Sequence, residues 1–302
     1  MTPGWAGPVW GEPSPATEAP AQVRARACAA AANYRADGGE SSDFVVLAAS
    51  VAGTAHRLVG RRCEDSYSWV KPGPGRLGLI VADGVSTAGR GGEGADLAVE
   101  AAARYLAACG GWGEPECLGA ARRASDELVS VAGASGRGKA AELSTTFVVA
   151  LVTAWTGGAG GAGRAGVVLG RVGDSTAFGL AGGVWQELFS SPDNDDLHHV
   201  ATDVLPFSGT SESGETTVET ATAYLPEGGA IVLLTDGIAN PLRDGPTTVA
   251  PALAAVLRAG PSGKLSPLGL AAAADFSRRG CQDDRTIVVA WPRPPDGRAS
   301  DG

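Results

Sequence analysis

The chain has 302 residues, with 24 Lys and Arg against 33 Asp and Glu and a formal net charge of −9 at pH 7. This acidic balance argues against nucleic acid as a partner, because phosphate backbones are bound by surplus Lys and Arg. No apolar run approaches the roughly 18 residues of a membrane span, and no basic segment followed by an apolar core indicates a signal peptide. We expect a cytoplasmic monomer without a membrane partner.

The composition predicts three parts. Residues 1–42 are rich in Pro, Ala and Gly and have no apolar period, which predicts a disordered tail. Residues 43–293 suit one large domain, and residues 294–302 are expected to form a flexible C-terminal tail. The five cysteines are an odd number without a C-x-x-C pair, a pattern that favours reduced thiols over disulfides or a cysteine zinc site.

Strand and helix patterns follow each other in blocks along the domain. A strand starts at Phe44, two strands flank a Pro-Gly turn before "LGLIVAD", and two helical patterns follow, the second in "CLGAARRASDELVSVAG". Three further β runs come next, in "STTFVVALVTAW", "AGVVLGRVG" and "STAFGLAGGVWQEL", where Gly182-Gly183 indicates a hairpin. Residues 190–220 are a long polar excursion, which we interpret as a mobile flap over a substrate.

The domain closes with strand "AIVLLTD", two helical stretches and strand "DDRTIVVAWP". The order is β-rich, α, β-rich, α, β rather than strict βαβ alternation. This order predicts an α+β protein of antiparallel sheets with helices outside.

Asp-Gly ends an apolar strand twice, at Asp83-Gly84 and at Asp236-Gly237. The simplest interpretation is a hairpin turn, since Gly supplies the positive φ of a type I′ turn. No strand pattern follows either glycine, so we expect both carboxylates at strand ends that open into loops.

Further acids share this position at the ends of β runs: Glu64-Asp65 before one strand and Asp283-Asp284 before the last. Each acid alone is more often a turn former than a ligand. Several carboxylates converging at sheet ends would repel one another unless cations neutralised them, and oxygen ligands suit Mg²⁺ and Mn²⁺. Gly84, without a Cβ, would also let its carbonyl approach an ion.

Six motifs in this order resemble the metal-dependent protein phosphatases, the type 2C serine/threonine class. They are "ED" before a strand, "VADG", "STTFVVALV", "GRVGDSTAFGL", "LLTDGI" and "DDRTIVVAW", and the resemblance covers roughly residues 44–292. It implies a four-layer α-β-β-α sandwich of two antiparallel sheets flanked by helices, with a binuclear Mn²⁺ or Mg²⁺ centre at one end of the sheets. It also implies hydrolysis of phosphoserine and phosphothreonine in a phosphorylated protein partner by a metal-activated water.

The resemblance assigns metal ligands by position. Asp83 would bridge both ions, Asp236 and Asp283 would complete one ion, and Glu64 with the Gly84 carbonyl would hold the other. Asp65 would act through water, and Asp284 takes the place of an Asn in the family pattern. Bacterial relatives bind a third, weaker ion through an acid just before the "STT" strand, and Glu142 lies near that place.

The chain departs from the family at two places. Many members have a His, thought to protonate the leaving oxygen, where this chain has Val85, and a phosphate-binding Arg where it has Gly60. Arg61 and Arg62 are next to it; either could supply a guanidinium for phosphate, or both could be a solvated pair.

His56 resembles a histidine of a bacterial branch of the family that also lacks the residue at position 85. Catalysis by His56 and a packed, hydrogen-bonded role both remain open. Two other acidic features favour structural roles: Asp174-Ser175 is typical of a turn between strands, and the "DNDDLHH" segment at 193–199 belongs to the polar excursion.

Two alternatives to a protein phosphatase remain open. Val85 and Gly60 favour a catalytically weak or inactive regulatory module that binds a phosphorylated partner. A phosphoester hydrolase acting on a small molecule is compatible with the same residues.

Overall fold

The computed structural model describes residues 22–23, 34–135, 139–154, 164–189, 203–207, 218–243 and 249–294. The strands in these ranges are β1 (Gln22–Val23), β2 (Tyr34–Glu40), β3 (Phe44–Val51), β4 (Asp65–Gly73), β5 (Arg76–Asp83), β6 (Phe147–Thr153), β7 (Ala165–Val172), β8 (Thr176–Ala181), β9 (Val184–Glu187), β10 (Glu219–Leu225), β11 (Ala230–Leu234) and β12 (Arg285–Pro292). The helices are α1 (Thr54–Leu58), α2 (Gly91–Ala108), α3 (Glu114–Ser135), α4 (Asp236–Arg243), α5 (Val249–Leu257) and α6 (Pro267–Ala274), with short 3₁₀ helices at Ser86–Ala88 and Ala140–Leu143.

The strands form two sheets in which all neighbours are antiparallel. The first sheet has the order β1-β4-β5-β6-β7-β10, and the second has the order β2-β3-β12-β11-β8-β9. In each sheet, strands distant in sequence lie side by side, as β12 does between β3 and β11.

Strand β3 shows how the layers are built. Alternate side chains of a strand point to opposite faces of its sheet. Phe44, Val46 and Ala48 pack against the first sheet, whereas Val45 and Leu47 lie in the cluster formed with α5 and α6. Both faces of this strand are therefore buried, which explains its continuous apolar run.

Alanine-rich faces allow α2 and α3 to lie close to the first sheet. Ala98 and Ala102 of α2 and Ala124 of α3 are fully buried in one cluster with Ile80 and Phe147 of the sheet. Small side chains on helices and large ones on strands fill this layer at the density of a protein interior. The predicted α-β-β-α sandwich is confirmed.

The turns that the sequence predicted are also confirmed. Gly182 and Gly183 have φ values of 58° and 86° and join β8 to β9. The Pro-Gly segment joins β4 to β5, and residues 173–175 form the turn between β7 and β8. None of the described helices has the length and apolarity needed to cross a membrane.

Three expectations need correction or lie outside the described residues. Residues 34–40 are not part of a tail: they form β2, which pairs with β3 from Tyr34↔Val51 to Glu40↔Val45. Their Gly and charged residues hid a half-buried edge strand from a search for apolar period. Residues 219 and 220, the end of the predicted excursion, belong to β10. Most of 190–217, including the 193–199 segment, lies outside the described residues, as do most of 1–33 and all of 295–302.

Candidate active site

The acidic residues of the first sheet meet because β4 and β5 form a hairpin. Asp65 begins β4 and Asp83 ends β5, and the two residues are direct partners in the register. Directly opposite residues of an antiparallel pair point to the same face, with Cβ atoms about 5 Å apart. The hairpin therefore places two carboxylates side by side at one end of the sheet.

The second sheet brings its acids to the same end. Strand β11 ends at Leu234, two residues before Asp236, and β12 begins at Arg285, directly after Asp283 and Asp284. The Thr235 hydroxyl at this end donates to Asp65 Oδ2 of the other sheet at 2.8 Å. The sheets thus converge on one acid cluster, which we define as Glu64, Asp65, Asp83, Asp236 and Asp283.

The carboxylates of this cluster lie close enough to raise one another's pKa values. Burial, followed by the charges of Asp65, Asp236, Asp283 and Asp174, raises the pKa of Asp83 well above its ordinary value. Burial and the charges of Asp283 and Asp174 raise the pKa of Asp236 to about 6. The site therefore holds its negative charge at a cost that a cation would offset.

Three carboxylate oxygens of the cluster are buried and accept no hydrogen bond within the described part of the chain: Glu64 Oε2, Asp65 Oδ1 and Asp236 Oδ1. A buried acceptor left unpaired costs about 1–3 kcal/mol. Oxygen donors of this kind are the ligands that Mg²⁺ and Mn²⁺ prefer. The donor set therefore fits a hard divalent cation.

The cluster is not a finished coordination shell. Among the described residues, no three Asp, Glu, His or Cys side chains are arranged so as to hold a metal ion as they stand. The fold brings the carboxylates to one place, and their side chains would still have to turn toward an ion.

Close backbone contacts explain both glycines that follow the aspartates. A Cβ on Gly84 would lie 2.3 Å from the carbonyl carbon of Gly91, at the start of α2. A Cβ on Gly237 would lie 2.0 Å from the carbonyl oxygen of Asp284. Neither glycine turns a hairpin: Gly84 precedes a 3₁₀ helix, and Gly237 is the second residue of α4.

The adjacent residues Arg61 and Arg62 make different contacts. Arg61 donates to Glu64 Oε1 at 2.5 Å and lines the cavity beside the cluster. Arg62 instead pairs with Asp96 of α2, with 2.8 Å between Nη1 and Oδ2, and is not among the residues that line the cavity. Of the two arginines, only Arg61 lines the cavity.

His56 of α1 is held by Asp284. Its Nδ1 lies 2.9 Å from Asp284 Oδ2, and its Nε2 lies 3.8 Å from Glu64 Oε2. Asp284 also accepts from the backbone N–H of Gly53 at 2.6 Å and of Glu64 at 2.5 Å. Asp284 therefore connects α1, the Glu64-Asp65 pair and β12. No sequence motif indicated this role.

A cavity of about 610 Å³ lies beside the cluster. Its lining residues are Ala55, His56, Val59, Arg61, Ser86, Asp236, Gly237, Asn240, Pro241, Gly280, Cys281, Gln282 and Asp283. Asp236, Asp283, His56 and Arg61 were expected from the sequence. Val85 is not part of the lining.

Three residues near the site have roles or positions that the sequence did not indicate. Asp174 forms the expected turn, and its charge also raises the pKa values of Asp83 and Asp236. Glu142 lies on the second 3₁₀ helix, where its carbonyl accepts from Arg90 N at 3.0 Å, and it does not line the cavity. Thr235, which bridges the two sheets, carried no signal beyond its place before Asp236.

Comparisons with known proteins agree with this architecture. The family model described as "Protein phosphatase 2C" matches residues 52–265. A phosphatase from a pathogenic strain of Toxoplasma gondii has a TM-score of 0.62 at 13% identity, covering 85% of this chain and 95% of that one. The Mycobacterium tuberculosis serine/threonine phosphatase PstP/Ppp has a TM-score of 0.52 at 19% identity, covering 82% of this chain and 98% of that one.

RsbX in complex with magnesium has a TM-score of 0.50 at 14% identity, covering 86% of this chain and 100% of that one. At such identities these structures show the shared fold. Among curated proteins, no sequence matches the chain significantly.

Proposed function

This chain belongs to the protein phosphatase 2C family, and we propose that its acid cluster binds two Mn²⁺ or Mg²⁺ ions for the hydrolysis of phosphoserine and phosphothreonine in other proteins. The family consists of metal-dependent phosphatases of the serine/threonine class. The observation that carries the ion assignment is the set of three buried, unpaired carboxylate oxygens on Glu64, Asp65 and Asp236.

The proposed ligands follow the family pattern. Asp83 would be shared by the two ions, Asp236 and Asp283 would hold one, and Glu64 with the Gly84 carbonyl would hold the other. The raised pKa of Asp83 supports its central place, because four other carboxylates contribute to it. Asp65 is tied to Thr235 through Oδ2, which leaves Oδ1 for an ion-bound water.

When bound, the ions neutralise phosphoryl oxygens and lower the pKa of water for attack on phosphorus. The chain's own residues bind and orient the substrate. Arg61 lines the cavity with 44% of its side chain exposed, and its guanidinium can donate two parallel hydrogen bonds to a phosphate. We propose this role for Arg61, and a structural role for Arg62 in its pair with Asp96.

His56 is the proposed proton donor to the leaving oxygen. Asp284 Oδ2 lies 2.9 Å from Nδ1, a contact that fixes the ring and leaves Nε2 to exchange the proton. A positioned acid contributes on the order of 10²–10⁴-fold when the leaving group is poor. A series of substituted phenyl phosphates tests this: wild type should depend weakly on leaving-group pKa and His56→Ala steeply. A steep line in both proteins would leave the site without an acid.

The phosphatase assignment is tested by p-nitrophenyl phosphate hydrolysis with Mn²⁺, with and without a chelator, and by release of phosphate from phosphothreonine peptides. We expect both substrates to be hydrolysed and the chelator to abolish both reactions. Peptide binding without hydrolysis would favour the regulatory module, and hydrolysis of small phosphoesters alone would favour the small-molecule hydrolase.

We further propose a cytoplasmic location, supported by the thiols. All four cysteines in the described residues are free. Burial raises the pKa of Cys117 to about 12, which keeps that thiol protonated and unreactive.

A further inference from the structure

Two large apolar side chains are exposed beside the cavity: Leu58, the last residue of helix α1, and Val59, its C-cap residue. Leu58 is 84% exposed and Val59 is 69% exposed, high values for large hydrophobic residues. Val59 lines the cavity together with Ala55, four residues earlier and on the same helix face. Leu58, the residue before Val59, is exposed at the same end of the helix.

The cavity is larger than a phosphorylated side chain requires. Its volume of about 610 Å³ lies within the range of about 300–1,000 Å³ that encloses whole drug-sized ligands. A phosphoserine side chain at the acid cluster would therefore leave room for a neighbouring residue of the same peptide. The wall offered by Ala55 and Val59 has no side-chain hydrogen-bonding group, so it suits an apolar neighbour.

We infer that Leu58 and Val59 dock a large apolar side chain within two residues of the phosphorylated residue. The inference rests on the proposed function and specifies its substrate class, namely phosphoproteins with an apolar residue close to the phosphate. Arg61 lies two residues beyond Val59 and lines the same cavity. Residues of an extended peptide rise about 3.3 Å each, so a phosphate at Arg61 places its near neighbours beside Val59.

The presence of Val59 in the cavity lining distinguishes this surface from other exposed apolar residues. Leu268 at the start of α6 is 72% exposed but does not line the cavity. Single exposed hydrophobic residues are common on soluble proteins and need no partner. Leu268 therefore serves as a matched control.

The test compares phosphothreonine peptides that carry Leu or the near-isosteric Asn at each of the two positions before and after the phosphorylated residue. Wild type with Mn²⁺ should prefer Leu over Asn by about tenfold in kcat/KM at one or more positions, the size expected for an apolar contact. The Leu58→Ser/Val59→Ser protein should lose this preference, whereas Leu268→Ser should keep it. Circular dichroism checks that each variant is folded.

Several results would overturn the inference. One is an equal rate for Leu and Asn peptides at every position in wild type, and another is a preference that survives in the double variant. A dimer that the double variant dissociates in sedimentation would assign the surface to a second copy of the chain. If wild type hydrolyses no peptide, the proposed function fails, and fluorescence anisotropy with the same peptides decides docking separately: equal affinities for Leu and Asn peptides would exclude it.

Discussion

Asp83-Gly84 and Asp236-Gly237 are the same dipeptide at the same end of two different sheets, yet their surroundings differ. Asp83 is the last residue of β5 and faces Asp65 across a hairpin. Asp236 is the first residue of α4, where the helix dipole favours a carboxylate. One aspartate is fixed by strand pairing and the other by the start of a helix.

The electrostatic consequences follow from these positions. Four neighbouring carboxylates and burial raise the pKa of Asp83 well above its ordinary value. The pKa of Asp236 rises to about 6. Hydrogen bonds with the Asp83 side chain and with the Gly237 backbone limit this rise, because they lower the pKa. Asp83 therefore lies at the centre of the acid cluster and Asp236 at its edge, next to the cavity.

The largest difference between the two aspartates is expected in catalysis. Asp83→Asn removes the proposed bridging ligand but keeps the side-chain volume. Hydrolysis of p-nitrophenyl phosphate with Mn²⁺ should therefore fall by more than about a hundredfold. This loss exceeds the one typical of residues that only hydrogen-bond to a metal ligand. Asp236→Asn should lose less, because it contacts one ion. Both variants should stay folded, since removing a charge relieves repulsion. Activity of Asp83→Asn within a few-fold of wild type would contradict the binuclear assignment.

Metal binding should stabilise the folded chain through both aspartates. A ligand that binds only the native state adds RT ln(1 + [L]/Kd), about 2.7 kcal/mol at a hundredfold excess over Kd, which is a shift of several degrees in Tm. Melting scans with Mn²⁺, Mg²⁺, Ca²⁺ or chelator measure it. Ca²⁺ should also stabilise the protein but support little hydrolysis, given its looser coordination. An equal shift in wild type and Asp236→Asn would show that Asp236 is no ligand.

The two glycines should be sensitive to substitution for the same reason in different places. Gly237→Ala would force a Cβ onto the Asp284 carbonyl, and Gly84→Ala would force one onto the backbone of Gly91. We expect each to lower the free energy of unfolding by about 1–3 kcal/mol, the usual cost of overpacking, measured by urea denaturation.

Gly133 of α3 is the matched control. A Cβ there has no heavy atom within 4 Å, so Gly133→Ala should stabilise the helix by about 0.5–1 kcal/mol. If Gly84→Ala and Gly237→Ala behave like Gly133→Ala, close backbone packing is not what these positions require.

The order of strand and helix patterns predicted antiparallel sheets with helices outside, and the family resemblance implied the four-layer sandwich. Strand β2 was missed since Gly38, Gly39 and two acidic residues obscure its period, and its place is set by pairing with β3. Both Asp-Gly dipeptides were expected to open into loops, but Asp236 begins helix α4. Packing of Ile238, Ala239 and Leu242 in the core stabilises this helix although it contains Pro241.

The sequence indicated the acidic residues of the candidate site but not the hydrogen bonds and ion pairs that position the residues around them. Strand-end carboxylates can be found in the sequence because they follow apolar runs. The contacts of Asp284 with Gly53, His56 and Glu64 join residues more than 200 positions apart, and no local pattern encodes such a distance. The separate directions of Arg61 and Arg62 likewise depend on where α2 places Asp96.

A further effect is expected on the pH dependence of the stability of the chelated protein. The pKa of Asp236 is about 6 in the folded chain and about 3.9 when unfolded, so the native state binds this proton more tightly. The resulting stability is present below about pH 4 and is lost as pH rises to about 6. Asp236→Asn cannot ionise, so its unfolding free energy relative to wild type should rise by about 1–3 kcal/mol from pH 4 to pH 7. Urea denaturation of both proteins at each pH measures this difference. A difference independent of pH would show that Asp236 does not belong to the crowded acid cluster.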